Sequence, residues 1–184
     1  MKFIPQSIPD VLLIEPIVHR DERGYFVETF RQDMLDQALG YKINFIQDNE
    51  SESISKGVLR GLHYQSPPYT QSKLVRVIKG RILDVAVDIR RDSPTFGRHT
   101  TVELSEQNKR QLFLPRGFAH GFAVLSEGAI FSYKVDEYFS AEHNEGIAYN
   151  DKDIAIDWCL SERDIKLSIQ DENNSNLADK KKLL

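Results

Sequence analysis

The chain has 184 residues, of which 40% are hydrophobic and 28% charged, and its formal net charge is -4. These values are typical of a globular protein with one core, and the net negative charge argues against non-specific nucleic-acid binding. No apolar run is long enough for a transmembrane helix, and the first residues lack the apolar stretch of a signal peptide. Cys159 is the only cysteine, which excludes an intrachain disulfide. We expect a cytoplasmic protein.

Short runs of β-type residues, separated by turn signals, dominate the chain. They cover residues 11–14, 25–30, 43–47, 59–65, 73–78, 82–89, 100–104, 111–114, 121–125 and 129–135. Such regular spacing predicts an all-β sandwich or barrel and not βαβ units. One helix is predicted over residues 32–39, ended by Gly40, and a second over 175–182. We expect residues 1–170 to form a single domain and residues 171–184 to be a polar, loosely held tail.

Residues 82–88 alternate in a way that assigns their faces. The odd positions are wholly apolar, whereas the even positions include Asp84 and Asp88. The odd face is predicted to pack against an opposing sheet. If the even face lines a barrel interior, Asp84 points into a cavity; the alternative is a solvated sheet face.

An arginine, a histidine and a lysine fall on two strands predicted to be neighbours. They are Arg60, His63 and Lys73. Histidine exchanges protons near neutral pH, and the two cations suit an anionic ligand, so these residues predict a proton-transfer site. An odd separation puts Arg60 and His63 on opposite faces of a flat strand. Both reach one cavity only if the chain bulges, which Gly61 permits.

Residues 115–120 carry a P-x-G-x-x-H pattern that ends at His120. This pattern resembles the second motif of the cupins, which are small double-stranded β-helix (jelly-roll) barrels. Metal-binding cupins carry an H-x-H pair in their first motif, where this chain reads His63-Tyr64-Gln65. We therefore expect a cupin barrel that works without a metal. The alternative for His120 is a buried side chain that braces the turn.

Tyr133 shares a strand face with Phe131 and Val135. A tyrosine on an apolar face is usually a core residue with a satisfied hydroxyl. It can also be a general acid if the hydroxyl points into a polar cavity.

Taken together, the segments strongly resemble the dTDP-4-dehydrorhamnose 3,5-epimerase family. The matching stretches are residues 21–28, 47–49, 58–65, 73–76, 84–88, 93–97, 108–111, 115–122, 133–134, 145–146 and 160–164, in family order over roughly residues 1–165. The resemblance implies epimerisation of dTDP-4-dehydro-6-deoxy-D-glucose at C3 and C5, in dTDP-L-rhamnose biosynthesis. It implies no cofactor, no metal, and a homodimer whose subunits share substrate contacts.

The same resemblance implies the role of each site residue. His63 is the general base, Asp164 its carboxylate partner, Tyr133 the acid on the opposite sugar face, and Lys73 the cation that steadies the enolate oxygen. The implied substrate contacts are Arg23, Phe26, Glu28, Gln47, Asn49, Arg60, Lys73, His120, Tyr138, Glu145 and Arg163, with Phe26 or Tyr138 stacking on thymine.

The chain departs from the family between Trp158 and Asp164, where only five residues intervene and Cys159 replaces a proline. If this short connection keeps Asp164 away from His63, Asp84 or another carboxylate has to serve.

Three other functions fit parts of the pattern. One is a family member that inverts C3 alone, the second is a metal-dependent cupin enzyme, and the third is a non-catalytic module that binds sugar nucleotides.

Overall fold

The computed structural model describes residues 1–184 and confirms the all-β prediction. Thirteen strands are present: β1 Lys2–Pro5, β2 Leu12–Glu15, β3 Val18–Asp21, β4 Gly24–Val27, β5 Gln47–Ser53, β6 Leu59–Gln65, β7 Lys73–Lys79, β8 Arg81–Asp88, β9 His99–Ser105, β10 Gln111–Leu114, β11 Phe118–Val124, β12 Ala129–Val135 and β13 Asn144–Gly146. The α-helices are α1 Gln32–Leu39 and α2 Ile169–Glu172, and single 3-10 turns lie at Ala141–His143, Glu162–Asp164 and Leu177–Asp179.

Two antiparallel sheets face each other. The six-stranded sheet has the order β1-β2-β10-β7-β12-β5, the five-stranded sheet has the order β13-β6-β11-β8-β9, and β3 and β4 form a separate hairpin. Apolar side chains from both sheets meet in the main core, for example Val75 and Phe131 from one sheet and Ala86 and Phe122 from the other. This arrangement is the jelly-roll barrel expected from the sequence.

The alternation in β8 is real, but its faces are reversed from the prediction. Ala86 on the even face belongs to the core between the sheets, and Asp84 beside it is fully buried. The odd positions Leu83 and Val85 belong to a second core on the outer side of the sheet, with Trp158. The even face therefore lines the barrel interior, which was one of the two alternatives for it. The prediction that the odd face meets the opposing sheet is wrong, and so is the solvated-face alternative.

Helix α1 begins and ends as predicted, and Gly40 closes it with a φ of 76°. The strand predicted at residues 43–47 is wrong. The chain instead pairs along β5, whose sequence QDNESES is wholly polar. β5 lies at the edge of its sheet, and only Ser53 on it is buried. Because it contributes no apolar residue to the core, hydrophobic periodicity could not reveal it.

The prediction of a loosely held tail over residues 171–184 is also wrong. Asp171 and Leu177 are buried, with 3% and 6% of their surfaces exposed, and Leu177 packs in the outer core. The backbone N–H of Leu177 donates to Asp151 at 2.7 Å, and the backbone N–H of Arg91 donates to the carbonyl of Leu184 at 2.9 Å. No helix spans residues 175–182, so side-chain and backbone contacts with the barrel fix this segment.

A bulge in β6 brings two predicted site residues to one face. His63 pairs with His120, and Arg60 pairs with Phe122, so three steps along β6 match two along β11. Between them Gly61 has a φ of 112°, and a Cβ on it would lie 2.6 Å from the carbonyl oxygen of His120. The extra residue therefore requires glycine, and it makes the odd spacing of Arg60 and His63 compatible with a common face.

No helix in the structure is both long and apolar enough to cross a membrane.

Candidate active site

A cavity of about 560 Å³ opens between the two sheets. Its lining includes five of the predicted site residues, together with residues that were not predicted. The lining residues are Ser51, Val58, Leu59, Arg60, His63, Lys73, His120, Phe122, Phe131, Tyr133, Lys166, Leu167, Ser168, Gln170 and Asp171. The cavity thus has walls from both sheets and one rim from the C-terminal segment.

His63 on β6 is paired with Asp171, at 2.5 Å between Nε2 and Oδ1. Burial by itself raises the pKa of Asp171, but hydrogen bonds and charge from His63, with further donors at Ser168 and Gly61, hold it below its ordinary value. An ionised carboxylate can only accept hydrogen bonds. In the neutral imidazole of His63, Nε2 therefore carries the proton, and Nδ1 is the unprotonated nitrogen that can accept one. This pair has the geometry of a general base with an orienting carboxylate.

Asp171 reaches His63 because the C-terminal segment runs parallel to the start of β6. Val58 and Lys166 form a parallel bridge. Along the chain, His63 follows Val58 by the same number of residues as Asp171 follows Lys166. Helix α2 then turns the carboxylate inward, and Ser168 caps it by accepting from the N–H of Asp171 at 3.1 Å. The Ser168 hydroxyl also donates to Oδ2 of Asp171 at 3.0 Å.

The prediction that Asp164 pairs with His63 is wrong. Asp164 is exposed and accepts a hydrogen bond from the hydroxyl of Ser161. Its backbone lies against Gly57, before β6 begins, so it falls well short of His63 along the strand. Asp84, the first alternative, is paired with His120 instead.

A signal for Asp171 does exist in the sequence. The pattern L-S-x-x-D occurs twice, as Leu160-Ser161 followed by Asp164 and as Leu167-Ser168 followed by Asp171. The connection from Trp158 to Asp164 looked too short for the family, and the connection from Trp158 to Asp171 is longer. In both copies the serine hydroxyl donates to the aspartate, but only Ser168 also caps a helix by accepting from the N–H of its aspartate. The pattern alone does not say which of the two aspartates reaches His63.

Tyr133 lies on β12 in the sheet opposite His63, and it lines the same cavity. It packs against the main core, with its ring 5.6 Å from that of Phe131. Burial raises the pKa of its hydroxyl, and the nearby charge of Arg60 opposes the rise. The phenol is therefore protonated at neutral pH and can donate a proton into the cavity.

Lys73, the first residue of β7, also lines the cavity. Burial lowers the pKa of its ammonium from 10.5 to about 8, although the Asp84 carboxylate favours the charged form. A partly buried ammonium that is charged at neutral pH suits an oxygen that gains negative charge.

His120 and Arg60 complete the cavity wall. Both carboxylate oxygens of Asp84 lie 3.0 Å from Nε2 of His120, and the His120 ring stacks on Phe131 at 5.9 Å. The guanidinium of Arg60 donates to the hydroxyl of Ser53 at 3.2 Å and to the carbonyl of Glu52 at 2.9 Å. Since its partners are neutral, the charge of Arg60 is available to a ligand.

Several predicted contacts do not line this cavity. The exposed ones are Arg23, Phe26, Glu28, Tyr138 and Arg163, and Arg23 and Phe26 lie in the β3–β4 hairpin. Glu145 lies on β13, 3.8 Å from the ammonium of Lys180. Gln47 and Asn49 hydrogen bond to each other on β5 at 2.7 Å. Within one chain, therefore, none of these residues lines the cavity, although Asn49 pairs with Tyr133 across β5 and β12.

No group of three or more histidine, cysteine, aspartate or glutamate side chains is arranged to hold a metal ion.

An imidazole paired with a carboxylate and a protonated phenol face one cavity from opposite walls of a jelly-roll barrel, which is an arrangement suited to an isomerase that moves protons. A family model described as dTDP-4-dehydrorhamnose 3,5-epimerase matches residues 5–179. The dTDP-4-dehydrorhamnose 3,5-epimerase of Shigella flexneri is 54% identical over 170 residues, which cover 90% of this chain and 93% of that protein. The chain belongs to the dTDP-4-dehydrorhamnose 3,5-epimerase family.

Solved structures agree with this assignment. The 3,5-epimerase of Legionella pneumophila, solved with dTDP-4-keto-L-rhamnose, has a TM-score of 0.93 and 48% identity, covering 97% of this chain and 93% of that one. A 3'-monoepimerase of Streptomyces bikiniensis, solved with dTDP-quinovose, has a TM-score of 0.86 and 34% identity, covering 95% of this chain and 87% of that one. One fold thus serves both double and single epimerases.

Proposed function

We propose that this protein is an isomerase that converts dTDP-4-dehydro-6-deoxy-D-glucose to dTDP-4-dehydro-L-rhamnose by inverting C3 and C5. The observation that carries the proposal is the His63–Asp171 pair on one cavity wall with Tyr133 on the other. Inversion requires proton removal on one face of the sugar and proton return on the opposite face. The similarity to epimerases of the dTDP-rhamnose pathway supports this substrate.

In the first half of each inversion, Nδ1 of His63 takes the hydrogen next to the C4 ketone. Such a hydrogen is a weak acid, so its removal needs a positioned base and stabilisation of the enolate oxygen. The ionised carboxylate of Asp171 stabilises the imidazolium that forms. The ammonium of Lys73 faces the same cavity and stabilises the enolate.

In the second half, Tyr133 returns a proton to the opposite face of the same carbon. Its buried hydroxyl holds the proton at neutral pH, since its pKa is raised. The tyrosinate formed by this donation lies near Arg60, whose positive charge favours it. The imidazolium of His63 then releases its proton to water, and the tyrosinate takes a proton from water, which restores both groups for the second carbon.

The remaining predicted contacts fit a homodimer with shared sites. Arg23 and Phe26 lie on an exposed hairpin, and Gln47 and Asn49 lie on the open edge strand of the six-stranded sheet. An exposed hairpin and an open sheet edge are surfaces that a second copy can cover. In this proposal the hairpin contributes nucleotide contacts to the partner's site, with Phe26 or Tyr138 stacking on thymine. The protein would act in the cytoplasm, where nucleotide sugars are made.

The test is proton NMR of the reaction in D₂O, with a reductase added to trap the product. Deuterium at both C3 and C5 of the product is the expected result. Deuterium at C3 alone would instead support single epimerisation, and no incorporation at either carbon would defeat the proposal. The His63→Ala and Tyr133→Phe variants should still bind dTDP but lose turnover by orders of magnitude, whereas a pure binding module would be indifferent to both changes.

A further inference from the structure

The cavity is lined by several cationic side chains that have no carboxylate partner, although the net charge of the chain is negative. Arg60, Lys73 and Lys166 line it, and none of them forms an ion pair there. The one carboxylate in the lining is Asp171, which is already engaged with His63. Uncompensated cations in a cavity indicate an anionic ligand. Lys73 and Arg60 have roles in the proposed reaction, but Lys166 has none.

The backbone of Lys166 is fixed next to the start of β6. Its N–H donates to the carbonyl of Gly57 at 2.9 Å, and its carbonyl accepts from the N–H of Leu59 at 3.0 Å. The ammonium donates to the hydroxyl of Ser55 at 2.9 Å. Since this hydroxyl is neutral, the full positive charge of Lys166 remains available at the cavity.

The charges of Lys166 and Arg60 are held at the same end of the cavity. The guanidinium of Arg60 contacts Ser53 and Glu52, and the ammonium of Lys166 contacts Ser55, two residues further along the same segment. His63 lies three residues beyond Arg60 on β6, beside Asp171. The site therefore has an end for proton transfer and a separate cationic end.

We propose that Lys166 binds the diphosphate of the nucleotide sugar together with Arg60, and so selects diphosphate-linked substrates. This inference rests on the proposed function, because it assigns the cationic end to the linkage between nucleoside and hexose. A diphosphate carries charge on both phosphoryl groups, and two separate cations match it better than one. Lys166 acts in binding and touches no atom that reacts, so its removal should weaken ground-state and transition-state binding equally.

The test variant is Lys166→Gln. Its control is Lys152→Gln, a change at an exposed lysine outside the cavity, and Lys166→Arg tests whether a second cationic side chain can replace the first. Binding of dTDP and of thymidine is measured by calorimetry, and turnover by initial rates. Lys166→Gln should weaken dTDP binding and raise KM by about tenfold, as expected for one charge-assisted contact. The same variant should leave kcat and thymidine binding unchanged, and Lys166→Arg should restore dTDP affinity.

Two results would overturn the inference: dTDP binding by Lys166→Gln equal to that of Lys152→Gln, or an equal loss for dTDP and thymidine. The calorimetric measurement needs no turnover. Failure of the wild type to epimerise the hexose would therefore count against the proposed function, and normal dTDP binding by Lys166→Gln would count against this inference alone.

Discussion

Replacement of Lys73 by methionine should stabilise the protein while it removes most of the activity. Burial lowers the pKa of the Lys73 ammonium from 10.5 to about 8, with Asp84 opposing the shift. Each pKa unit corresponds to about 1.4 kcal/mol, so the folded state holds this charge at a cost of about 3 kcal/mol. Methionine keeps the apolar stem without the charge. We expect Lys73→Met to gain up to about 3 kcal/mol in the free energy of unfolding at pH 7.

The gain should depend on pH in a defined direction. Below pH 8 the ammonium is charged in both folded and unfolded protein, so its full cost is present. Between about pH 8 and 10.5 the folded wild type releases the proton while the unfolded chain keeps it. Wild-type stability should therefore rise relative to Lys73→Met, by about 1.4 kcal/mol per pH unit in that window.

Urea unfolding of both proteins from pH 7 to pH 9.5, at one protein concentration, measures this difference. Lys152→Met serves as the control, because Lys152 is exposed and its replacement should not reproduce the pH-dependent stability difference between the wild type and Lys73→Met. Two results would refute the reasoning: a Lys73→Met protein less stable than the wild type at pH 7, or a stability difference that stays constant up to pH 9.5.

Three further changes test the site and the barrel. Asp171→Asn removes the partner of the imidazole base and should lower kcat by about 10²-fold or more. Asp164→Asn should leave kcat unchanged in the same assay, and equal effects of the two changes would contradict the pairing. Tyr133→Phe should block inversion but still exchange the C3 hydrogen with D₂O, as seen by NMR, and loss of this exchange would show that the phenol is needed for proton removal. Gly61→Ala should cost at least about 2 kcal/mol in thermal unfolding, because its Cβ would lie 2.6 Å from a carbonyl oxygen. Gly40→Ala, with positive φ but open space, should cost less.

Apolar alternation made most of the barrel predictable from the sequence. The runs at β6, β7, β8, β10 and β12 have apolar faces that the barrel buries, so their periodicity carries the information. The polar edge strand β5 and the short strand β13 carry no such pattern. The packing of residues 171–184 was missed because it depends on a few buried groups, such as Asp171 and Leu177, within a polar stretch.

A site residue could be predicted from the sequence where its strand could also be predicted, because the strand decides which way the side chain points. His63, Tyr133 and Lys73 lie on strands that the sequence predicted, and all three line the cavity. The partner of His63 was not predictable in this way. Two aspartates end the same L-S-x-x-D pattern, and the parallel bridge that places Asp171 beside His63 is a contact between distant segments.

The central claim is that an imidazole and a phenol contact one hexose from opposite faces. A crystal structure of the protein with dTDP-L-rhamnose, which lacks the reactive ketone, tests it most directly. We predict the sugar ring between His63 and Tyr133, with Lys73 nearest to the oxygen on C4. A ring bound outside the cavity, or contacted by both side chains on one face, would contradict the account.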